Sequence, residues 1–208
     1  MEAVSTTSSH FLTFALTFLL FISNLENSDA AITTTKTTKN SSSTYKNYLK
    51  TACNSTTYPK LCYSSLSHYY STISNNDLTL CISAVNVSLQ AATNANSLVT
   101  ALLKEGGLNH TEAQAVQDCL EVIGDSIDEL NESLDALGSL DFNNPKVKFQ
   151  ISSIKTWVSA AITDDDTCTD GLNGAKVSSS VKTKITKSVL NVERLTSNAL
   201  ALINSKLP

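Results

Sequence analysis

Apolar residues recur at alternating spacings of three and four along four long stretches of the chain, and almost no stretch alternates as a β-strand would. This spacing places the apolar side chains on one face of an α-helix. The pattern predicts four amphipathic helices whose apolar seams run from Leu78 to Leu102, Val116 to Leu137, Val147 to Ala161 and Val181 to Leu202. Because each seam would be exposed on an isolated helix, the predicted fold class is all-α, an up-and-down antiparallel four-helix bundle.

The first two helices carry recognisable signals where they meet. Gly106 and Gly107 are expected to end the first helix, because glycine readily adopts the left-handed backbone of a helix terminus. Thr111 is expected to open the second, since its hydroxyl can cap the first turn with Gln114 three residues later.

The third and fourth helices are bounded less sharply. Asn144 is expected to cap the third helix, with Pro145 as its first helical residue. The fourth helix is expected over residues 175–203, with a seam long enough to match the second.

The N-terminal part of the chain predicts three further segments. Residues 1–31 indicate a signal peptide, since the apolar run from Phe11 to Ile22 is too short to span a membrane and precedes small residues. Residues 32–44 are low in apolar content and predict a flexible leader. The folded domain is expected over residues 45–208.

Within that domain, two shorter helical pieces precede the bundle. They lie around residues 48–52 and 58–70 and are separated by a turn. They predict a helical hairpin over residues 45–75, appended to a bundle that covers residues 76–205.

Charge is segregated along the chain. Without residues 1–31 there are 16 acidic and 15 basic side chains, which leaves a net charge of about one negative. Of the 16 acids, 13 lie between Glu112 and Asp170, whereas residues 172–208 carry six bases and one acid. Such asymmetry suits docking onto a basic or mixed protein surface better than binding nucleic acid.

Five Asn-x-Ser/Thr sequons are compatible with a glycosylating secretory route. The glycosylation candidates are Asn40, Asn54, Asn86, Asn109 and Asn131.

Five cysteines follow the leader, so an oxidising compartment favours two disulfides and one remaining thiol, with fifteen pairings open by arithmetic. Cys53 and Cys62 flank the hairpin turn, and Cys119 could reach Cys168 just beyond the third helix. Cys81 would then remain as a buried thiol, behaving as a small apolar side chain.

An enzyme is disfavoured, because the domain has only two histidines, His68 and His110, which lie 42 residues apart in polar surroundings. A calcium loop read from Asp166 would place Cys168 and Val177 at ligand positions, so no metal site is predicted and Asp164–Asp166 are interpreted as a helix cap or a bridge-flanking loop. No cofactor is predicted either.

A structural or carbohydrate-binding bundle is a further alternative. It is disfavoured because the chain has a single tryptophan, Trp157, at a core-like position and few clustered aromatic residues.

The second helix carries carboxylates at spacings of four and three, which at about 100° per residue form one stripe away from the leucine seam. The stripe consists of Glu121, Asp125, Asp128, Glu132 and Asp135. The helix has no base to pair with them, and neighbouring carboxylates repel by about 0.2–0.5 kcal/mol per pair. From the pattern alone, an ordinary solvated face and a protein-binding surface both remain open.

Two cysteine-anchored segments resemble a known family. The segment TACNSTTYPKLCYSSL is similar to the C-x-x-T-x-Y-P-x-x-C-x-x-S-L opening of the plant pectin methylesterase and invertase inhibitors. The segment SAAITDDDTCTDG resembles that family's S-A-A-L-T-x-x-x-T-C-x-D-G block, with Ile162 in place of the leucine. The resemblance covers residues 45–208.

The resemblance implies a non-catalytic inhibitor that is secreted into the apoplast and cell wall. It implies two disulfides, Cys53–Cys62 and Cys119–Cys168. It also implies which residues contact the target. Glu121, Asp125 and Asp128 follow Cys119 in the spacing of the family's acidic C-x-E-x-x-x-D-x-x-D pattern, and the T-C-x-D block supplies Thr167 and Asp170. The partner implied is pectin methylesterase, bound non-covalently and one-to-one across its substrate cleft.

Inhibition of acid invertase is the alternative within this family, for which a Pro-Lys-Phe motif is characteristic. The chain has NNPKVKF instead, at a different place, before the third helix. Taken without the resemblance, Pro145, Lys146 and Phe149 predict only a helix start with one core aromatic residue.

Overall fold

The computed structural model describes residues 34–208, and within them the regular structure is helical throughout. The helices are α1 (Thr34–Cys53), α2 (Pro59–Leu66), a 3₁₀ turn (Ser67–Tyr69), α3 (Tyr70–Ile73), α4 (Asp77–Glu105), α5 (His110–Gly138), α6 (Val147–Gly174) and α7 (Ser179–Lys206). The all-α prediction is therefore confirmed. The predicted signal peptide, residues 1–31, lies outside the described residues.

The last four helices form the predicted bundle. Each has 28 or 29 residues, and α4 packs against α5 and α7 while α6 packs against the same two helices. Short connections join successive helices, as expected for antiparallel neighbours. Residues 41–208 form one compact unit.

The bundle core has two parts. The larger part lies beneath the N-terminal helices and includes Leu49, Leu66 and Leu202. The smaller part surrounds the Cys119–Cys168 bridge and includes residues of α4, α5 and α7. The seams predicted from periodicity supply most of these buried side chains, because apolar burial drives the helices together.

The hairpin is closed by a disulfide and is attached to the bundle by polar contacts. Cys53 at the end of α1 is bonded to Cys62 in α2, with the two Cα atoms 5.5 Å apart. The Tyr48 hydroxyl donates to the Asp77 carboxylate at the start of α4, and Lys206 Nζ lies 3.3 Å from the same carboxylate. These contacts connect α1 to the start of α4 and to the end of α7, the first and last helices of the bundle.

The remaining thiol is Cys81, which is fully buried in α4 as predicted. Burial first, and then the charge of Asp77, raises the pKa of the Cys81 thiol to about 12. A neutral, enclosed thiol behaves as a small apolar side chain.

The first helix, α1, begins at Thr34. Flexibility of the leader over residues 32–44 stays a prediction. Leu49 and Ala52 are buried near the C-terminal end of α1 and anchor it there. Once one part of a helix is anchored, adding turns costs much less than nucleating them, so a polar segment can continue the helix.

The cap of α5 is also different. Asn109, rather than Thr111, is the capping residue, and its Oδ1 accepts from the amides of Thr111 and Glu112 at 3.0 Å. Glu112 Oε2 accepts from the Asn109 amide at 3.1 Å, which completes a capping box. The box starts two residues earlier than predicted because Glu112 is held there from a distant segment: its Oε1 atom accepts a hydrogen bond from the amide of Ser178, the residue before α7, at 2.7 Å.

The start of α6 is displaced in the opposite direction. Asn144 and Pro145 lie in a turn before the helix, where Asn144 Oδ1 accepts from the Lys146 amide at 2.9 Å, and the helix begins at Val147. Phe149 is 73 % exposed, so the prediction that it is a core aromatic residue is wrong. It lies outside the seam because Val147 and Ile151 take the inward positions of the first turn.

Helix α6 extends further along the chain than its predicted apolar seam, which ends at Ala161. The helix continues to Gly174, so Asp164–Asp166 and Cys168 lie inside it rather than in a cap, a loop or a connection beyond it. Cys168 and Leu172 continue the inward face. The last helix accordingly starts at Ser179 instead of residue 175.

Among the described residues, none of the helices has the length and apolar content that crossing a membrane would require.

Candidate functional site

The Cys119–Cys168 disulfide connects α5 to α6 and brings two predicted surfaces onto one helix pair. The two Cα atoms are 4.3 Å apart, and both cysteines are buried. Because the bond joins the interiors of two long helices, it limits how α5 and α6 can slide or separate. Side chains on the outer faces of α5 and α6 therefore keep fixed positions relative to one another.

The acidic face of α5 consists of the five carboxylates named from the sequence, and all five are exposed. They are Glu121, Asp125, Asp128, Glu132 and Asp135. At about 100° per residue they occupy a strip about 80° wide on the helix surface. The predicted stripe is therefore a real outward surface, with Ile123 and Leu130 buried on the opposite side.

Thr167 and Asp170 lie on the exposed side of α6, on either side of buried Cys168. The Thr167 hydroxyl donates to the Thr163 carbonyl oxygen at 2.7 Å, which holds it against its own helix. Thr167 lines a groove of about 320 Å³ between α5 and α6 together with Asp118 and Gly171. Thr167 therefore lies beside α5, next to the Cys119–Cys168 disulfide.

Asp118 is a member of this surface that the sequence interpretation missed. It is exposed, lies beside Cys119 and lines the groove that contains Thr167. The available signal was its position three residues before Glu121, which extends the acidic spacing toward the helix start.

Two carboxyl groups, Glu129 of α5 and Asp164 of α6, lie close together beside the acidic face. Burial first, and then hydrogen bonding to Asp164 and the charges of Asp164 and Asp125, raises the pKa of Glu129 to about 7. Burial and the charge of Asp125 also raise the pKa of Asp164. Glu129 therefore carries a proton at acidic pH and can share it with Asp164 across the helix interface.

Asp165 is a buried carboxyl group in the bundle interior, with no exposed surface. Neither of its oxygens has a hydrogen-bond partner among the described residues. Burial is the largest cause that raises its pKa to about 8, with smaller contributions from the charges of Glu193, Asp164 and Asp166, while the nearby Ser126 hydroxyl opposes the increase. Asp165 is therefore neutral over the acidic pH range. Sequence periodicity could not identify it, because its burial depends on α5 and α7 closing over α6.

The described residues hold no group of three or more histidine, cysteine or carboxylate side chains placed to bind a metal ion. His68 lies in the 3₁₀ turn and His110 at the first position of α5, and both are exposed.

Four of the sequon asparagines can be placed on the structure. Asn54, Asn86, Asn109 and Asn131 are exposed, whereas the side chain of Asn40 lies outside the described part. The side-chain amide nitrogen of Asn109, Nδ2, donates to Glu112 Oε2 at 2.8 Å inside the capping box. A glycan on that nitrogen would therefore compete with the helix cap, and occupancy of all five sequons remains a prediction.

Comparison with known proteins gives consistent matches. A family model described as plant invertase/pectin methylesterase inhibitor matches residues 47–202. Pectinesterase inhibitor 10 of Arabidopsis thaliana is 46 % identical over 169 residues, which are 78 % of this chain and 54 % of that protein, so the chain spans about half the length of that relative. Pectinesterase inhibitor 4 of the same plant is 35 % identical over 198 residues, 95 % of this chain and 98 % of the relative.

The fold has a matching solved structure. The crystal structure of a mutant form of a pectin methylesterase inhibitor from Arabidopsis superimposes with a TM-score of 0.60, covering 75 % of this chain and 95 % of that one at 21 % identity. At this identity the likeness supports the helical architecture alone.

Proposed function

The chain belongs to the plant invertase/pectin methylesterase inhibitor family, and we propose that it inhibits pectin methylesterase by laying the α5–α6 surface across the cleft of that enzyme. Inhibition is non-covalent and one-to-one, since a bundle of this kind needs only to occupy the volume that the polysaccharide would fill. The chain acts as an inhibitor and does not catalyse a reaction itself.

The observation that carries this proposal is the acidic face on a bridged pair of helices. Between residues 110 and 138, α5 contains six further acidic or amide side chains but no lysine or arginine. Carboxylates one turn apart repel each other, so an unpaired row costs stability within the isolated protein. Basic and polar groups of a partner can offset that cost on binding, and complementary charge also speeds the encounter.

The shape of α5 and α6 suits steric blocking. A helix of 28 residues is about 42 Å long. Two such helices, tied by Cys119–Cys168 and fully packed on the bundle, present a stiff surface that loses little conformational entropy on binding. Thr167, Asp170 and the groove beside Asp118 are proposed to complete the contact next to the acidic face.

The protein is proposed to act outside the cell, in the apoplast and cell wall. Support comes from the signal-peptide pattern of residues 1–31, from the sequons and from two disulfides, which form in oxidising compartments.

One observation favours acid invertase as the second candidate target. Phe149 is 73 % exposed, and Lys146 and Lys148 beside it are exposed too, so the PKVKF segment presents an aromatic ring flanked by cations at the start of α6. This corner adjoins the connection that follows α5, whereas the bridge lies near the opposite end of that helix. The two targets therefore predict different contact surfaces on the same bundle.

The deciding experiment titrates the purified protein separately into a pectin methylesterase assay and an acid invertase assay. Saturable, stoichiometric loss of esterase activity with unchanged invertase activity is expected. Inhibition of invertase alone would transfer the proposal to the PKVKF corner, and inhibition of neither enzyme would favour a structural or carbohydrate-binding bundle.

A further inference from the structure

A basic groove follows the outer side of α7 and ends at the hairpin turn. Its first part, about 570 Å³, is lined by residues of α7 and the end of α6 and carries Lys182, Lys187 and Arg194. Its second part, about 540 Å³, carries Arg194 again, with Tyr58 and Lys60 from the turn and α2. Arg194 lines both parts, so the two parts adjoin at this side chain.

The groove is electrostatically one-sided. No acidic residue lines either part. Glu193 is the single acid of α7, and its carboxyl group is half-buried next to Asp166 of α6, where the charge of Arg194 also acts on it. Among residues 42–208 the salt bridge within 4 Å joins Lys206 to Asp77, so Lys182, Lys187 and Arg194 make no direct ion pair and can bind an anionic ligand.

The centre of the groove is held in a fixed geometry. The side chain of Asn198 is 3 % exposed. Its Oδ1 atom accepts a hydrogen bond from the Tyr58 amide at 2.8 Å, and its Nδ2 atom donates one to the Tyr58 carbonyl oxygen at 3.1 Å. The Tyr58 ring in turn lies 5.6 Å from the Arg194 guanidinium carbon, within the range of a cation–π contact. An exposed arginine is thereby positioned before any ligand arrives, which reduces the entropy lost on binding.

We propose that this basic groove binds a polyuronate chain, the de-esterified form of pectin. The choice of polymer rests on the proposed function, because removal of methyl esters by pectin methylesterase leaves one carboxylate on each sugar. Such a polymer can place a carboxylate opposite each cation of the groove, and the planar guanidinium of Arg194 can bind one with two parallel hydrogen bonds. Thr183, Asn191 and Thr57 add hydroxyl and amide groups suited to sugar hydroxyls.

The length of the groove fits a polymer better than a small anion. Along α7, Lys182 and Lys187 are separated by about 7.5 Å of helix rise, and Lys187 and Arg194 by about 10.5 Å. Cations spread over about 18 Å cannot converge on one carboxylate, so they favour an extended polyanion that passes along the helix.

Nucleic acid is a poorer occupant. Single-stranded nucleic acids are bound by open aromatic platforms on which bases stack. The Tyr58 ring is already covered by Arg194, and the other aromatic residues lie outside the groove lining.

The consequence is a protein that uses two opposite surfaces. The acidic face is on α5, and α7 packs against α4 and α6, so a polyuronate on α7 leaves α5 accessible. The inhibitor would then be retained in those regions of the wall where its target has already removed methyl esters.

The test measures binding by isothermal titration calorimetry, with no esterase present, using a fully de-esterified oligogalacturonate and its methyl-esterified counterpart of equal length. The wild-type protein should bind the de-esterified oligomer and bind it more weakly as salt is raised. Lys187→Glu with Arg194→Glu should weaken this binding at least tenfold. Lys104→Glu with Lys155→Glu, an equal charge change outside the groove, should stay within twofold.

Equal weakening in both double variants would show that net charge, and not the groove, attracts the polymer, and would overturn the proposal. Binding of the esterified oligomer or of single-stranded DNA as tightly as the de-esterified oligomer would also overturn it. Esterase inhibition is assayed separately: an inhibitor that blocks the enzyme but does not bind the oligomer refutes only the groove, and one that binds the oligomer but does not inhibit refutes only the proposed function.

Discussion

The side chain of Asn198 binds the main chain of Tyr58 at both its amide and its carbonyl group, although the two residues are 140 positions apart in sequence. The Asn198 Oδ1 atom is 2.8 Å from the Tyr58 nitrogen and the Nδ2 atom is 3.1 Å from the Tyr58 oxygen. Because Asn198 is almost completely buried, water cannot easily replace it. This contact fixes the position of the hairpin turn on α7.

Replacing Asn198 with alanine should therefore destabilise the protein. The Asn198→Ala variant leaves the Tyr58 amide without a partner and removes one of two donors from the Tyr58 carbonyl oxygen, which keeps the Cys62 amide at 2.9 Å. The expected loss in the free energy of unfolding is about 1–3 kcal/mol. Chemical denaturation measures it. Ser197→Ala is the matched control, since the Ser197 hydroxyl makes a single 3.2 Å contact with Thr57 near the surface, and it should cost no more than about 0.5 kcal/mol. Equal losses in the two variants would show that the two-point contact contributes little.

The buried carboxyl group of Asp165 predicts that stability decreases as pH rises. Its pKa increases from 3.8 in the unfolded chain to about 8 in the folded protein. Below pH 4 both states hold the proton. Between pH 4 and pH 8 the unfolded state releases it while the folded state retains it, so unfolding becomes progressively easier, and above pH 8 the difference is constant.

This effect can be isolated with an uncharged amide at the same position. In wild type, the Tm should fall by about 10–20 °C from pH 4 to pH 8, as followed by circular dichroism. Asp165→Asn should flatten that decline, although Glu129 and Glu193, whose pKa values are also raised, should keep part of it. Asp170→Asn, at an exposed position, should leave the slope unchanged. A wild-type Tm that rises over this interval would contradict the prediction.

The two disulfides should differ in their contribution to stability. Cys119–Cys168 closes 49 residues and Cys53–Cys62 closes 9. In the chain-entropy model these loops correspond to about 4 and about 2.6 kcal/mol. Replacing Cys119 and Cys168 together with alanine should therefore lower the free energy of unfolding more than the same change at Cys53 and Cys62. The reverse order in urea titrations would show that strain or residual structure, and not loop length, determines the effect.

The acidic face predicts a specific loss of inhibition. Asp125→Lys with Asp128→Lys should weaken inhibition of pectin methylesterase at least tenfold, because two carboxylates expected to face basic groups are reversed in sign. Helicity and Tm should be nearly unchanged, since both side chains are exposed. The matched control is Glu105→Lys with Asp141→Lys, an equal charge change at exposed positions outside the acidic face. Unaltered inhibition in the first variant would identify the face as ordinary solvated surface.

Several site residues could be named from the sequence because their placement depends on a single helix. A spacing of three and four places Glu121, Asp125 and Asp128 on one outward strip whatever the other helices do. The same reasoning located the buried seam through Ile123 and Leu130, and the structure confirms both faces. Contact of the strip with a target enzyme is still a prediction.

Other predictions were wrong where two local solutions competed. Thr111 and Asn109 can both cap α5, and the choice fell to Asn109 because Glu112 is held by the Ser178 amide of a distant segment. The sequence predicts Phe149 in the core, but the helix starts at Val147 and its register turns the ring outward.

The sequence by itself determined the all-α class, the four seams and the single sign of the charge on α5, because helical periodicity is a property of each segment alone. Only the tertiary structure decided that Asp165 is buried beside Ser126, that Glu129 meets Asp164, and that Arg194 lies over Tyr58. Each of these depends on which helices become neighbours and at what register. That choice is made by packing the whole bundle, since the burial of apolar surface is shared among all the helices.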